Sequence, residues 1–110
     1  MRLVTNHILP GLSTTGDSTF HEGDEIAIGS HRFGPSEEKA AHYHVKYDEF
    51  CVVVRGEIVL EIEDETLHLN AGDKALIARG SVHRVHNASN EDTEVAYLKV
   101  PYDENDTIFV

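Results

Sequence analysis

The amino-acid sequence predicts an all-β sandwich or barrel. Short β-branched runs recur along the chain, with turn residues at intervals of about 8 to 12 positions. One run, Glu57–Glu63, alternates apolar and acidic residues with a period of two. No stretch keeps a helical period for more than about two turns, and no internal repeat of roughly 20–50 residues is present. At 110 residues the chain reads as one domain, 1–110, with room for a single modest core.

Residues 1–23 are mixed in pattern. Leu3-Val4 seeds a short strand, while Pro10-Gly11 and Ser13–Ser18 have the composition of turns and loop. His7 and His21 have no partner at ligand spacing and are assigned to the surface. Glu25–Phe33 alternates as a strand, with Gly29 a bulge candidate. Gly34–Lys39 is a polar loop, and Pro35 ends the strand because it has no N–H for the ladder.

Ala41–Val45 is a short, histidine-rich strand, and Asp48–Arg55 is a β-branched run ended by Gly56-Glu57. Strict alternation puts Glu49, Cys51, Val53 and Arg55 on one face of that run and Phe50, Val52 and Val54 on the other. In the next strand Ile58, Leu60 and Ile62 share the buried face, with Glu57, Glu61 and Glu63 opposite, as in a half-buried antiparallel strand. Asp64-Glu65 is the candidate two-residue hairpin, and Thr66–Leu69 returns with His68 toward solvent.

Asn70–Asp73 is a turn, Lys74–Ala78 a strand, and Arg79–Ser81 a second turn. Val82–Asn87 and Glu94–Val100 are further strands, separated by the polar loop Ala88–Thr93. Pro101 and the acidic Asp103–Asp106 lead to Thr107–Val110, an edge strand or a dimer contact.

Composition narrows the function. Twenty acidic against nine basic residues give a net charge of −11. That argues against nucleic acid and anionic membranes as partners, since both need a basic footprint. No apolar run approaches the roughly 20 residues of a membrane span. Met1–His7 has no apolar signal core, which places the chain in the cytoplasm. Cys51 is the only cysteine, so an internal disulfide is excluded, and its expected role is that of a small buried hydrophobe.

The most informative stretch runs from His42 to Asn87. His42 and His44 stand two positions apart, so on a strand their imidazoles converge on one point. His42-x-His44, four residues, Glu49, six residues, Gly56 resembles the first signature of the cupin superfamily. Gly72, seven residues, Gly80, two residues, His83, three residues, Asn87 resembles the second. The motifs, 42–56 and 72–87, together with the fifteen residues between them, span 46 of the 110 residues. Two positions depart from the family pattern: Ser36 stands where a glycine is usual, with Gly34 two earlier, and Ala78 where a proline is usual. Both shape turns and leave the ligand set intact.

The resemblance implies a double-stranded β-helix, or jelly-roll barrel, with His42, His44, Glu49 and His83 as ligands of one divalent transition metal per chain. The residues support this: a buried carboxylate and three clustered imidazoles are costly as core filler, and a metal removes that cost. Fe, Mn, Ni, Zn or Cu suits an N3O set, and open coordination positions permit Lewis-acid or O2 chemistry.

The implied function is an enzyme acting on an oxygenated or carboxylate-bearing small metabolite. Dioxygenase-type chemistry stands slightly ahead of isomerase, epimerase, lyase or decarboxylase chemistry, because the ligand set is complete. The alternative is a non-catalytic, sensory module binding a metal and a small ligand. Tyr47, Tyr97 and His31 are acid/base candidates at the barrel mouth. Arg55 is a candidate for a substrate carboxylate, or else ends its strand in solvent. His86, three residues after His83, points to the opposite face, Tyr43 faces outward, and Cys51 shares the parity of Glu49. A homodimer is expected, with Ile108-Phe109-Val110 and the N-terminal strand as contacts.

Overall fold

The computed structural model describes residues 17–22, 25–103 and 105–110, the first of these segments by its backbone. The strands are β1 (Asp17–Glu22), β2 (Ala27–Phe33), β3 (Glu38–Tyr43), β4 (Asp48–Arg55) and β5 (Glu57–Ile62), then β6 (Glu65–Asn70), β7 (Lys74–Ile77), β8 (His83–His86), β9 (Thr93–Val100) and β10 (Ile108–Phe109). They form two five-stranded sheets, ordered β1-β2-β9-β4-β7 and β10-β3-β8-β5-β6, with neighbours antiparallel. This is the all-β jelly roll that the sequence predicts, and no described residue is helical. Among the described residues, no helix is long and apolar enough to cross a membrane.

The core lies between the sheets, where the inward positions of each strand meet. Phe33, Cys51, Val53, Ile77 and Val95 from the first sheet pack against Ile58, Leu60 and Leu69 from the second. Burying each of these aliphatic or aromatic side chains contributes about 1.5–3 kcal/mol. Ile58 and Leu60 are buried as their period of two requires, Ile62 packs beside them, and His68 is exposed.

Turn chemistry holds the strand ends. Gly56 has φ of 83°, and a Cβ there would collide with the Thr93 side chain and lie 2.9 Å from the Asp92 carbonyl oxygen. Only glycine allows that approach. It lets the Thr93 hydroxyl donate to the Glu57 carbonyl at 2.8 Å and accept the Glu57 N–H at 3.0 Å. Asn87 is fully buried, and its amide donates to the carbonyls of Phe33, Gly34 and Glu91. It thereby fastens the β2–β3 turn to the β8–β9 loop.

Several local expectations are corrected. Residues 17–22 form β1, although the turn composition of Ser13–Ser18 predicts loop through Ser18; pairing with β2 outweighs that composition. Leu3-Val4, His7 and the loop up to residue 16 lie outside the described residues, as does the side chain of His21. The register irregularity expected at Gly29 falls between Thr19 and His21 on β1, across from Gly29. The tight hairpin turns on Glu63-Asp64, one residue earlier than Asp64-Glu65, with Glu63 at φ of 51°.

In β4 the parity count slips. Val53 pairs with Val95, but Arg55 pairs with Glu94, so Val54 is an extra residue relative to β9. Arg55 is consequently exposed, off the inward face that Glu49, Cys51 and Val53 share.

Candidate metal centre

His42, at the end of β3, pairs directly with His83 on β8, and their ring centroids are 4.2 Å apart. β3 stops at Tyr43, so His44 stands one residue beyond the strand, yet it still turns inward. Its ring lies 5.0 Å from that of His42 and 5.3 Å from that of His83. One ligand atom from each of the three rings lies within 4.8 Å of the others. The expected convergence of His42 and His44 therefore exists, with His83 as the third member.

The tautomer of each ring is set by its backbone. Nδ1 of His42 lies 2.7 Å from the Ala40 carbonyl oxygen, Nδ1 of His44 lies 2.7 Å from that of Asp106, and Nδ1 of His83 lies 3.0 Å from that of Ser81. A carbonyl only accepts, so each Nδ1 carries the hydrogen, and in a neutral ring Nε2 keeps its lone pair. Burial favours the neutral form. It pushes His42 down to about 4, although the Ala40 carbonyl opposes the shift, and it lowers His83 in the same way. Three imidazoles that converge with Nδ1 held on backbone carbonyls offer their Nε2 atoms as a donor set suited to a first-row transition metal.

Glu49 reaches the cluster from β4 in the facing sheet. Its Oε1 lies 3.4 Å from Nε2 of His44. Two lone pairs facing each other at that distance repel unless a cation, proton or metal, lies between them. Burial raises the Glu49 pKa, but the His44 interaction and the charges of Lys99 and His83 outweigh it, leaving the carboxyl below its ordinary value. The three imidazoles could thus hold a metal ion, and Glu49 lies beside them at His44 without belonging to that close group.

A cavity of about 390 Å³ opens beside the cluster, between the sheets. Tyr97 and His31 both line it. His31 Nε2 also lies 3.3 Å from Glu37 Oε2. Tyr47, expected at the barrel mouth, is instead 1% exposed behind His44. Its ring stacks on the imidazole at 4.2 Å, its hydroxyl lies 3.3 Å from Nε2, and burial pushes the phenol above its ordinary range. Arg55 is not among the residues that line the cavity. Cys51 does line it, and burial pushes its thiol up to about 11, so it remains protonated at neutral pH. His86 lies outside the cavity lining, and its buried Nδ1 has no hydrogen-bond partner among the described residues.

Two residues of the site are not singled out by sequence reasoning. Asp106 is buried, holds His44 through its carbonyl, and accepts the N–H groups of Val45 and Lys46 on its carboxylate. Lys99 lines the cavity and pairs across the ladder with Glu49. The alternation of Val95, Tyr97 and Lys99 signals an inward face for Lys99, but nothing in the sequence pairs it with Glu49. Asp106 leaves no sequence signal, because its role depends on a residue 62 positions away.

The model of the cupin domain family matches residues 29–100, which contain both histidine motifs. The chain belongs to the cupin family. This cupin is 26% identical over 74 residues to the tetracenomycin polyketide synthase protein TcmJ of Streptomyces glaucescens, covering 67% of this chain and 50% of that protein. The chain spans about half the length of the curated relatives it matches first. KdgF from Halomonas sp. superimposes with a TM-score of 0.75 at 19% identity, over 94% of each chain. A sugar phosphate isomerase of the cupin superfamily from Silicibacter pomeroyi gives 0.68 at 23% identity, covering 79% of this cupin and 60% of that chain. At these identities the structural likeness establishes the double-stranded β-helix.

Proposed function

We propose that this cupin is a mononuclear metal-dependent enzyme acting on a small oxygenated or carboxylate-bearing metabolite. One observation carries the reading: three inward imidazoles converge within 4.8 Å, each with its Nδ1 held on a backbone carbonyl and its Nε2 left to face the others. His42, His44 and His83 would hold the ion, and Glu49 would complete the set. Bound there, a divalent metal supplies Lewis-acid polarisation of a carbonyl or carboxylate, or a site for O2.

The chain's own residues do the rest. Phe33, Ile58, Ile77 and Val95 give the cavity apolar walls. Tyr97 and His31 stand in the lining, placed to donate or accept a proton. Tyr47 holds the plane of His44 from behind.

Proton-transfer chemistry of the isomerase or lyase type is the better-supported class. Cys51 lines the same cavity, where activated oxygen would find an oxidisable sulfur. A sugar phosphate isomerase is also among the structural neighbours. Dioxygenase-type chemistry is the second reading, supported by the coordination positions that three or four protein ligands leave open on an octahedral ion. We also infer that the protein works in the cytoplasm as a homodimer.

The test is metal content by mass spectrometry on untagged protein purified without added metal, beside His44→Ala. Near-stoichiometric metal that falls sharply in the variant supports the centre. Its identity then selects the assay: O2 uptake for iron or copper, isomerisation or elimination for manganese, zinc or nickel. Wild-type protein that holds no metal and takes up none on titration overturns the reading.

A further inference from the structure

Among the described residues lining the cavity, only Ala40, Thr107 and Phe109 are exposed, so the mouth lies on the side of β3 and β10. Thr107 and Phe109 belong to the segment 106–110, which runs along the outer edge of β3. Phe109 is 68% exposed, and its ring lies 5.7 Å from that of His42. A short piece of chain thus makes most of the rim.

The same piece holds the residues around the histidine cluster. Asp106 accepts the His44 Nδ1–H on its carbonyl, and the N–H groups of Val45 and Lys46 on its carboxylate. Thr107 hydrogen-bonds the hydroxyl of Tyr47, whose ring stacks on His44. Phe109 pairs with His42 in the ladder, and the Val110 N–H donates to the Ala41 carbonyl at 3.2 Å. β10 itself is a strand of two residues at the edge of its sheet, and residues 107–110 are all exposed. Exposed edge elements of this kind open at much lower free energy than core strands.

We propose that residues 106–110 are the gate of the cavity: they lift from β3 as one unit, open the mouth at Thr107 and Phe109, and release the ring of His44. Each anchor is a hydrogen bond or a ring contact, and ordering a residue's backbone costs about as much as one such bond contributes. Losing one anchor therefore leaves too little to hold the others. The gate deepens the metal-centre reading and rests on it for one point only. With Nε2 of His44 on an ion, the ring is fixed with its Nδ1–H toward Asp106, so occupancy favours the docked segment. Removing such a ring partner costs roughly 10- to 100-fold in metal affinity. Coupling is reciprocal, so a bound ion lowers the open population by the same factor.

The N–H groups of Val45, Lys46 and Val110 report docking at the two ends of the segment. Labelled wild type and Val110→Pro, each metal-free and zinc-loaded, are compared by amide hydrogen exchange, with zinc per chain measured on the same samples. Val110→Pro removes the donor to Ala41 at an exposed position and leaves Asp106 untouched. The Val53 N–H, bonded to the Asp73 carbonyl at 3.0 Å, is the control for the core. Access is read by the rate at which iodoacetamide alkylates Cys51, the only cysteine and a buried residue of the lining.

In metal-free wild type the protection of Val45, Lys46 and Val110 is expected to agree within about threefold. Val110→Pro is expected to speed exchange at Val45 and Lys46, and alkylation of Cys51, by at least about tenfold, with Val53 unchanged within about twofold. Zinc slows Val45 and Lys46 in wild type by roughly 10- to 100-fold. Val45 and Lys46 unmoved by Val110→Pro, or Val53 accelerated with them, overturns the single unit. Faster exchange without faster alkylation overturns its role as a gate. Zinc that binds without slowing Val45 and Lys46 overturns the coupling. Concerted opening in protein that takes up no zinc upholds the gate and removes the metal centre; zinc uptake without concerted opening does the reverse.

Discussion

The Nδ1 atom of His44 donates to the carbonyl oxygen of Asp106 at 2.7 Å, across 62 positions of sequence. The Asp106 carboxylate meanwhile accepts the N–H groups of Val45, at 2.9 Å, and Lys46. One buried residue between β9 and β10 thus sets the ring's tautomer and clamps the segment that follows it. Partners of this kind hold a ligand in the orientation a metal requires.

Replacing that carboxylate should weaken the site without abolishing the fold. Asp106→Ala is expected to lower metal affinity by about 10- to 100-fold in chelator competition. An unchanged affinity would mean that the carbonyl alone positions His44.

The histidine cluster should make the metal-free protein acid-sensitive. Burial depresses His42 from 6.5 to about 4 and lowers His83, whereas the unfolded chain binds these protons near pH 6.5. Between those values the unfolded state holds more protons, so stability is full above about 6.5 and falls as the pH drops toward 4. Thermal melts of metal-free protein should show a Tm roughly 5–10 °C lower at about pH 5 than at about pH 7.5. A flat profile would show that the folded state protonates these rings as readily as the unfolded chain does.

Two turn positions should respond in opposite directions. Ser36, standing where the family usually has glycine, adopts φ of 66°, in the left-handed region. Ser36→Gly relieves that strain and should stabilise by about 0.5–1 kcal/mol. Gly56→Ala forces a Cβ onto Thr93 and should destabilise by more than about 3 kcal/mol. Urea unfolding of both variants reads the two signs directly.

The outer face of the first sheet carries an apolar row that fits the proposed dimer. Ile28 pairs with Leu98, Leu98 with Phe50, and Phe50 with Leu76, and Leu76 is 66% exposed. β10 already pairs with β3 of its own chain, which makes the sheet face a better contact than the Ile108–Val110 end. Light scattering should give about twice the 12.3 kDa chain mass, and Leu76→Glu should return it to the monomer value. A monomer mass for the unaltered protein would remove the dimer.

Features that depend on neighbours along the chain were legible in the sequence. Ile58 and Leu60 are buried, His68 is exposed, and His42 and His44 turn to one point, each as a local period of two requires. Features that depend on a partner strand were not. β1 has a turn-like beginning and becomes a strand through β2, its ladder partner among the described residues. The extra residue Val54 defeats parity counting at Arg55, because a bulge exists only relative to the strand it fails to match.

The sequence by itself determined the all-β class, both histidine motifs and the acidic balance of the chain. It does so because the alternation of Cβ atoms along a strand is covalent geometry and travels with the residues. Only the tertiary structure decided that Asp106 sets the tautomer of His44, that Tyr47 lies behind that ring, and that Lys99 rather than Arg55 enters the cavity. These relations join residues far apart in the chain, and they follow from ladder register and from packing one sheet against the other.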